Sequence, residues 1–175
     1  MKKKNWLVIL LIVGISITAF PSLILAWTWT AAGSAGTVDE ENIDDFVTNL
    51  SYLYFKPDVT GTIIVRYNVT NPFDLNDARY HWDTLYVSFV DPGDASRILV
   101  YLRSMDLETG TPTRIAAFNS DDFPASDLVQ LHHIPVTGTF DFESNVYYLE
   151  VVLYRKLSTA RLGIFGLKLD YYAEF

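Results

Sequence analysis

From Thr60 onward the sequence is a succession of β-branched and aromatic runs cut by turn sequences, and nothing else in it constrains the fold as tightly. TIIVRYNVT, DTLYVSFVD, RILVYLRS, TRIAAF, NVYYLEVVLYRK and LGIFGLKLDYY are separated by NPFDLND, DPGDAS, DLETGTP and KLSTAR, whose Asn, Asp, Gly, Pro and Ser residues suit turns. LVQLHHI makes a seventh candidate strand. No stretch of helical period intervenes. Strands that follow one another without crossover helices pair antiparallel, and six or seven of them bury a core as a two-layer sandwich or a barrel. The expected class is all-β, an antiparallel two-sheet β-sandwich, with DLETGTP as the hairpin loop between RILVYLRS and TRIAAF.

Successive side chains of a strand point to opposite faces. This places Ile63, Val65, Tyr67 and Val69 in the core, with Leu85, Val87 and Phe89, then Ile98, Val100 and Leu102. Tyr147, Leu149, Val151 and Leu153 join them, as do Phe165, Leu167, Leu169 and Tyr171. The opposite faces carry Ile64, Arg66, Asn68, Tyr86, Ser88, Lys168 and Asp170, together with Tyr101, Arg103, Tyr148, Glu150 and Tyr154.

That outward set is aromatic and charged, so Tyr86, Tyr101, Arg103, Tyr148, Glu150 and Tyr154 are the candidate ligand-binding residues. Tyrosine rings stack on sugars while the carboxylate accepts hydroxyl protons. Cross-strand Tyr, Arg and Glu pairs also tie any half-exposed sheet together, at roughly 0.2–1 kcal/mol each, and Arg66 and Arg103 are the expected partners of Glu150. A catalytic Glu needs a second carboxylate or a positioned water in a cleft, and nothing in the sequence supplies one. No GxSxG, SxxK or HExxH pattern occurs. A binding or structural protein is expected, not an enzyme.

With no Cys, thiol catalysis, thiolate metal sites and disulfides are excluded. No cofactor is expected beyond one structural possibility. Asp74, Asn76 and Asp77 in NPFDLND, with Asp91 and Asp94 in DPGD, are hard oxygen donors on loops that could hold Ca²⁺; Asx-turn capping explains them equally well. His132 and His133, being adjacent on a strand, point to opposite faces and cannot chelate one ion together.

The amino terminus reads as an export signal. Lys2, Lys3 and Lys4 precede an apolar run from Trp6 to Ala26 that Pro21 interrupts near its end. A signal peptide over 1–26, or a retained anchor with Trp6, Trp27 and Trp29 at the two interfaces, is expected. Either puts the rest outside the cytoplasm, as a secreted, periplasmic or cell-surface protein; the membrane is met only through this segment. An amino terminus at Trp27 would mark the cleaved form. That form carries 10 basic against 21 acidic residues, a balance that repels nucleic acid. Residues 27–40, with the small-residue stretch AAGSAGT, are expected to be a flexible tether. Ile43, Phe46, Leu50 and Leu53 are spaced for a short amphipathic helix over 41–51, opening a single domain over 41–175.

WDTLYVSFVDPGDASRILVYLRSMDLETGTPTRIAAF and, further on, FDFESNVYYLEVVLYRKLSTARLGIFGLKLDY resemble a secreted bacterial β-sandwich of jelly-roll type found in hypothetical proteins. The shared pattern is a strand ending in an Asp-rich turn, a Leu- and Arg-rich strand end, a strand of the type YYLeV and a final strand of the type rLxGvxLxY, over about residues 80–172. DPGD at 91–94 departs from it, an Asn-Asp turn being common there. The resemblance implies a jelly-roll-like fold and export, and it brings no catalytic residue. Two functions are therefore open: an envelope or extracellular binding module, for a glycan or a cell-envelope protein, or a subunit that associates with copies of itself, through the Tyr face or an open strand edge.

Overall fold

The computed structural model describes residues 28–71, 82–93 and 95–171. The expected runs are strands: β5 (Gly61–Val69), β6 (Thr84–Asp91), β7 (Ser96–Asp106), β8 (Pro112–Asn119), β9 (Ser126–Pro135), β10 (Asn145–Arg155) and β11 (Gly163–Asp170). Four short strands precede them: β1 (Trp29–Ala32), β2 (Thr37–Val38), β3 (Phe46–Asn49) and β4 (Tyr52–Phe55). All pairings are antiparallel. One sheet runs β3-β4-β11-β6-β9 with β1 on the far part of β11, and the other runs β2-β5-β10-β7-β8. From β4 to β7, and again from β8 to β11, each connection carries the chain to the other sheet. The protein is an all-β, two-sheet sandwich.

The alternation holds where the strands are regular. Val65, Leu85, Val87, Phe89, Val100, Leu102, Leu149, Val151 and Leu153 are fully buried between the sheets. At about 25 cal/mol per Å² of apolar surface removed from water, this layer supplies most of the drive to fold. The DLETGTP hairpin joins β7 to β8 as expected. Asp106 accepts hydrogen bonds from the amides of Glu108 and Thr109, and Gly110 takes the left-handed turn at φ 67°.

Three expectations need correction. Residues 41–51 hold no α-helix: a single 3₁₀ turn, Glu40–Asn42, leads into the hairpin of β3 and β4. Asn42 decides this, because its side chain donates to the Thr62 carbonyl at 2.8 Å and accepts from the Ile64 amide at 3.1 Å, tying the segment to β5. Leu53 and Phe55 then enter the core at a spacing of two, and Ile43 and Leu50 stay exposed. Residues 29–38 are no tether. Trp29 is in the core, β1 pairs with β11 of one sheet, and β2 pairs with β5 of the other, so the stretch straps the two sheets together and, among the described residues, β-structure is present from Trp29, well ahead of residue 41. Phe165 and Tyr171 are not core residues. The β11–β6 register slips between Ile164 and Gly166, and this bulge turns Phe165 outward while Ile164 and Leu167 both face in. Tyr171 lies past the strand end, 41% exposed. The signal-peptide reading falls outside the described residues.

The turns carry the acid stability. Hydrogen bonds from Thr109 and the Glu108 amide hold Asp106 below the ordinary carboxylate range, and those from Ser144 and the Glu143 amide do the same for Asp141. Asp170 is also lowered: burial pushes it up, but Lys168, Thr28 and the Tyr171 amide outweigh that. A carboxylate whose pKa is lower folded than unfolded adds stability above its unfolded value, about 4, and loses it as pH falls through the folded one. The melting temperature, followed by circular dichroism, is expected to be flat from pH 7 to about 5 and to fall steeply below about 4. Asp106→Asn should flatten that acid slope; an unchanged slope would remove Asp106 as a contributor.

Candidate functional site

The five-stranded sheet turns five of the six expected ligand-binding residues to one outer face. Across β10 and its neighbours, Tyr148 lies opposite Arg103, Glu150 opposite both Tyr101 and Arg66, and Tyr154 opposite Arg97. Tyr86 does not join them. It is on β6 of the other sheet and faces the opposite side of the molecule, because the chain changes sheets between β6 and β7. Glu150 is held by both expected arginines: Arg103 donates from Nε at 3.2 Å and Nη2 at 3.0 Å to one carboxylate oxygen, and Arg66 Nη2 lies 3.4 Å from the other. Arg66 also pairs with Asp39, which, with Glu150, raises the guanidinium pKa against the effect of burial. The Arg103 guanidinium rests 5.1 Å from the Tyr101 ring centre. Glu150 is thus engaged by a guanidinium on each side. The network links β2, β5, β10 and β7 and reads as a cross-strand ladder.

The outer face of the six-stranded sheet has a different character. Tyr52 and Tyr54 project from β4, their ring centres 5.3 Å apart, and Tyr52 stacks on Phe165 of β11 at 4.7 Å with 19° between planes. The bulge makes this possible by aiming Phe165 out of the core. Gly163 helps: a Cβ there would sit 3.2 Å from that of Tyr54 and 3.0 Å from the Leu53 carbonyl oxygen. A depression of about 240 Å³ opens beside this cluster, lined by Tyr52, Tyr54, Arg161 and Phe165. Farther along β11 a second, of about 410 Å³, is lined by Thr30, Tyr86, Ser88, Leu131, Gly166 and Lys168. Tyr86 is a wall of this one, with the Lys168 ammonium 4.9 Å from its ring centre and the His133 ring at 5.4 Å. Lys168 is also paired with Asp170.

Tyr52, Tyr54 and Phe165 escaped the sequence reading. Tyr52 and Tyr54 lie just past the helix expected over 41–51, in a stretch given no strand, and uninterrupted alternation points Phe165 inward. The signal that was present is GIFG, residues 163–166: two glycines inside a strand mark a bulge or a close backbone approach.

The loop end of the sandwich holds a cleft of about 540 Å³ lined by Asp91, Ser96, Arg97, Ser120, Phe123 and Tyr154. Asp91 is 3% exposed and saturated with donors: the Gly93 amide at 2.9 Å, Ser96 Oγ at 2.6 Å and Ser120 Oγ. It joins β6 to β7 and to the 3₁₀ turn Ser120–Asp122 that follows β8, and Ca²⁺ there would have to displace these bonds. Of the other expected calcium ligands, Asp74, Asn76, Asp77 and Asp94 lie outside the described residues. Among the described residues no three His, Asp or Glu side chains converge on a metal position. His132 and His133 point to opposite faces, His132 stacking on Phe123 at 4.2 Å and His133 meeting Tyr86 outside.

No protein-family model matches the chain, and no curated protein matches it. Among solved structures, the xylan-binding module CBM15 aligns with a TM-score of 0.47 at 10% identity, over 86% of this chain and 99% of that one. A family 11 carbohydrate-binding module from Clostridium thermocellum, in complex with a β-1,3-1,4-mixed-linked tetrasaccharide, gives 0.43 at 12% identity, over 89% and 94%. A family two carbohydrate esterase from Cellvibrio japonicus gives 0.46 at 13% identity; it matches 85% of this chain, which spans only 35% of the esterase's length. Likeness at this level reaches no further than the general stacking of two sheets.

Proposed function

We propose that this protein is a binding module that lays a glycan on the outer face of its six-stranded sheet, acting outside the cytoplasm, where its leader-like segment would deliver it. The observation that carries this is Phe165. A bulge turns an aromatic ring away from the core and stacks it on Tyr52, half exposed, in the wall of one depression and next to a second. Exposing a large apolar side chain forgoes roughly 1.5–3 kcal/mol of burial, so a ligand that covers it recovers that loss. The face offers what a pyranose ring uses: flat aromatic surface for its C–H side, and hydroxyls of Thr30, Ser88, Tyr52 and Tyr86 for its edges.

A glycan array probed with the wild-type protein and with Phe165→Ala tests this. Wild type is expected to bind a subset of the array, and Phe165→Ala to bind it roughly tenfold or more weakly, since losing a ring-stacking contact of about 1.4 kcal/mol is a factor of ten. The variant's melting temperature should stay near that of wild type, because the ring is not part of the core. Wild-type protein that binds no glycan on the array would remove this reading.

A further inference from the structure

We infer that the face takes an interior stretch of a linear, uncharged polysaccharide, in preference to a single sugar or a chain end; this rests on the glycan-binding reading above. Both depressions are laid out along one strand. Gly163 and Phe165 line the first and Gly166 and Lys168 the second, so the two adjoin; from Gly163 to Lys168, five residues of β-strand at about 3.3 Å each span roughly 16 Å. One sugar ring cannot reach both floors.

The Tyr52–Phe165 stack, 4.7 Å between ring centres, is the wall of the first depression on the side where the second begins. Aromatic surface therefore recurs along β11: Tyr54 and then Phe165 in the first depression, Tyr86 in the second. Where this wall meets the second depression the floor is kept low by Gly166, whose missing side chain would come 3.4 Å from the Ala31 carbonyl oxygen. A site for a chain end closes around it. Here both depressions open onto the same outer sheet face, so a polymer enters at one and leaves past the other.

Charge narrows the class. The chain as a whole carries a net charge of −8, yet no acidic side chain lines either depression. Lys168 is neutralised by Asp170, and Arg161 is the remaining cation at the first. Thr30, Ala32, Tyr86, Ser88 and Gly166 give the second depression a floor and walls of hydroxyl, aromatic and backbone character. A neutral polyol chain meets these surfaces without stranding a charge, whereas a polyanion approaches a molecule of its own sign.

Calorimetric titration with neutral, linear oligosaccharides of one to six residues, in both α- and β-linked series, tests the inference. Affinity is expected to be undetectable for the monosaccharide, to rise roughly a hundredfold or more between two and six residues, and to level off once both depressions are covered. Tyr86→Ala is expected to weaken the hexasaccharide roughly tenfold more than it weakens the disaccharide. Thr30→Trp, which fills the second depression from an exposed position, should act in the same direction if Tyr86→Ala lowers stability. A hexasaccharide no tighter than a disaccharide, or variants that weaken every length by one factor, would overturn the two-depression inference while leaving a glycan site in place. Failure of every length to bind would take the proposed function down with it.

Discussion

Arg155→Ala is expected to destabilise the protein by about 3–5 kcal/mol, a drop of roughly 10 °C in melting temperature for a domain of this size. Arg155 is the last residue of β10 and points inward, following Leu149, Val151 and Leu153 down the core side. It is 4% exposed. Its Nη2 donates to the carbonyls of Lys56 at 2.6 Å and of Val59, its Nη1 reaches that of Ala160 at 3.4 Å, and the guanidinium lies 4.5 Å from the Phe55 ring centre. One side chain thus gathers the β4–β5 and β10–β11 loops over the end of the sandwich. Burial lowers its pKa, and the nearby Asp58 carboxylate opposes the change.

Removing it takes this donor from the Val59 and Ala160 carbonyls, while the Lys56 carbonyl keeps the Val59 amide, and opens a void over Phe55; an unpaired buried polar group costs about 1–3 kcal/mol. Arg155→Met keeps the stem without the hydrogen bonds and should fall between wild type and alanine. Urea denaturation of the three proteins measures this directly. An alanine variant within about 1 kcal/mol of wild type would show that the loops close without the arginine.

Gly33→Ala is the second large effect, expected at roughly 3 kcal/mol, because the added methyl meets main chain and not a side chain that can turn away. A Cβ on Gly33 would lie 2.1 Å from the Ile164 carbonyl oxygen. The Gly33 carbonyl meanwhile accepts the buried Tyr67 hydroxyl at 2.6 Å, and burial raises the pKa of that phenol well above its ordinary value. The strap between β1 and β2 therefore cannot shift without breaking a buried bond to β5. Thermal melting and amide hydrogen exchange over residues 29–38 give the two readouts. A variant that melts like wild type but exchanges those amides freely would mean that the strap peels off at little cost, and the tether expectation would be restored.

Much of the sandwich was legible because its strands are regular. In β10 the inward Leu149, Val151 and Leu153 and the outward Tyr148 and Glu150 follow from a period of two that each residue's neighbours enforce. The pairing of Glu150 with Arg66 and Arg103 followed from the same parity plus opposite charge. The strap was hidden because AAGSAGT has the small residues of a linker, and the same absence of side chains lets its backbone pass against Ile164 and Tyr67. The helix expected over 41–51 rested on a spacing of apolar residues that Asn42 overrides by bonding to β5.

The candidate site was the least legible part. Five of its expected residues share a face, but their charges satisfy one another. The aromatic ridge on the other sheet exists only because β11 slips by one residue between Ile164 and Gly166. Sequence alone determined the seven strands β5 to β11, the inward and outward sides of those that are regular and the β7–β8 hairpin, since these depend on contacts between near neighbours and on turn chemistry. Which sheet each strand joins, which outward residues meet, and the turn of Phe165 toward solvent were decided in three dimensions. They depend on partners distant in the chain, and one extra residue in a strand reverses every side chain beyond it.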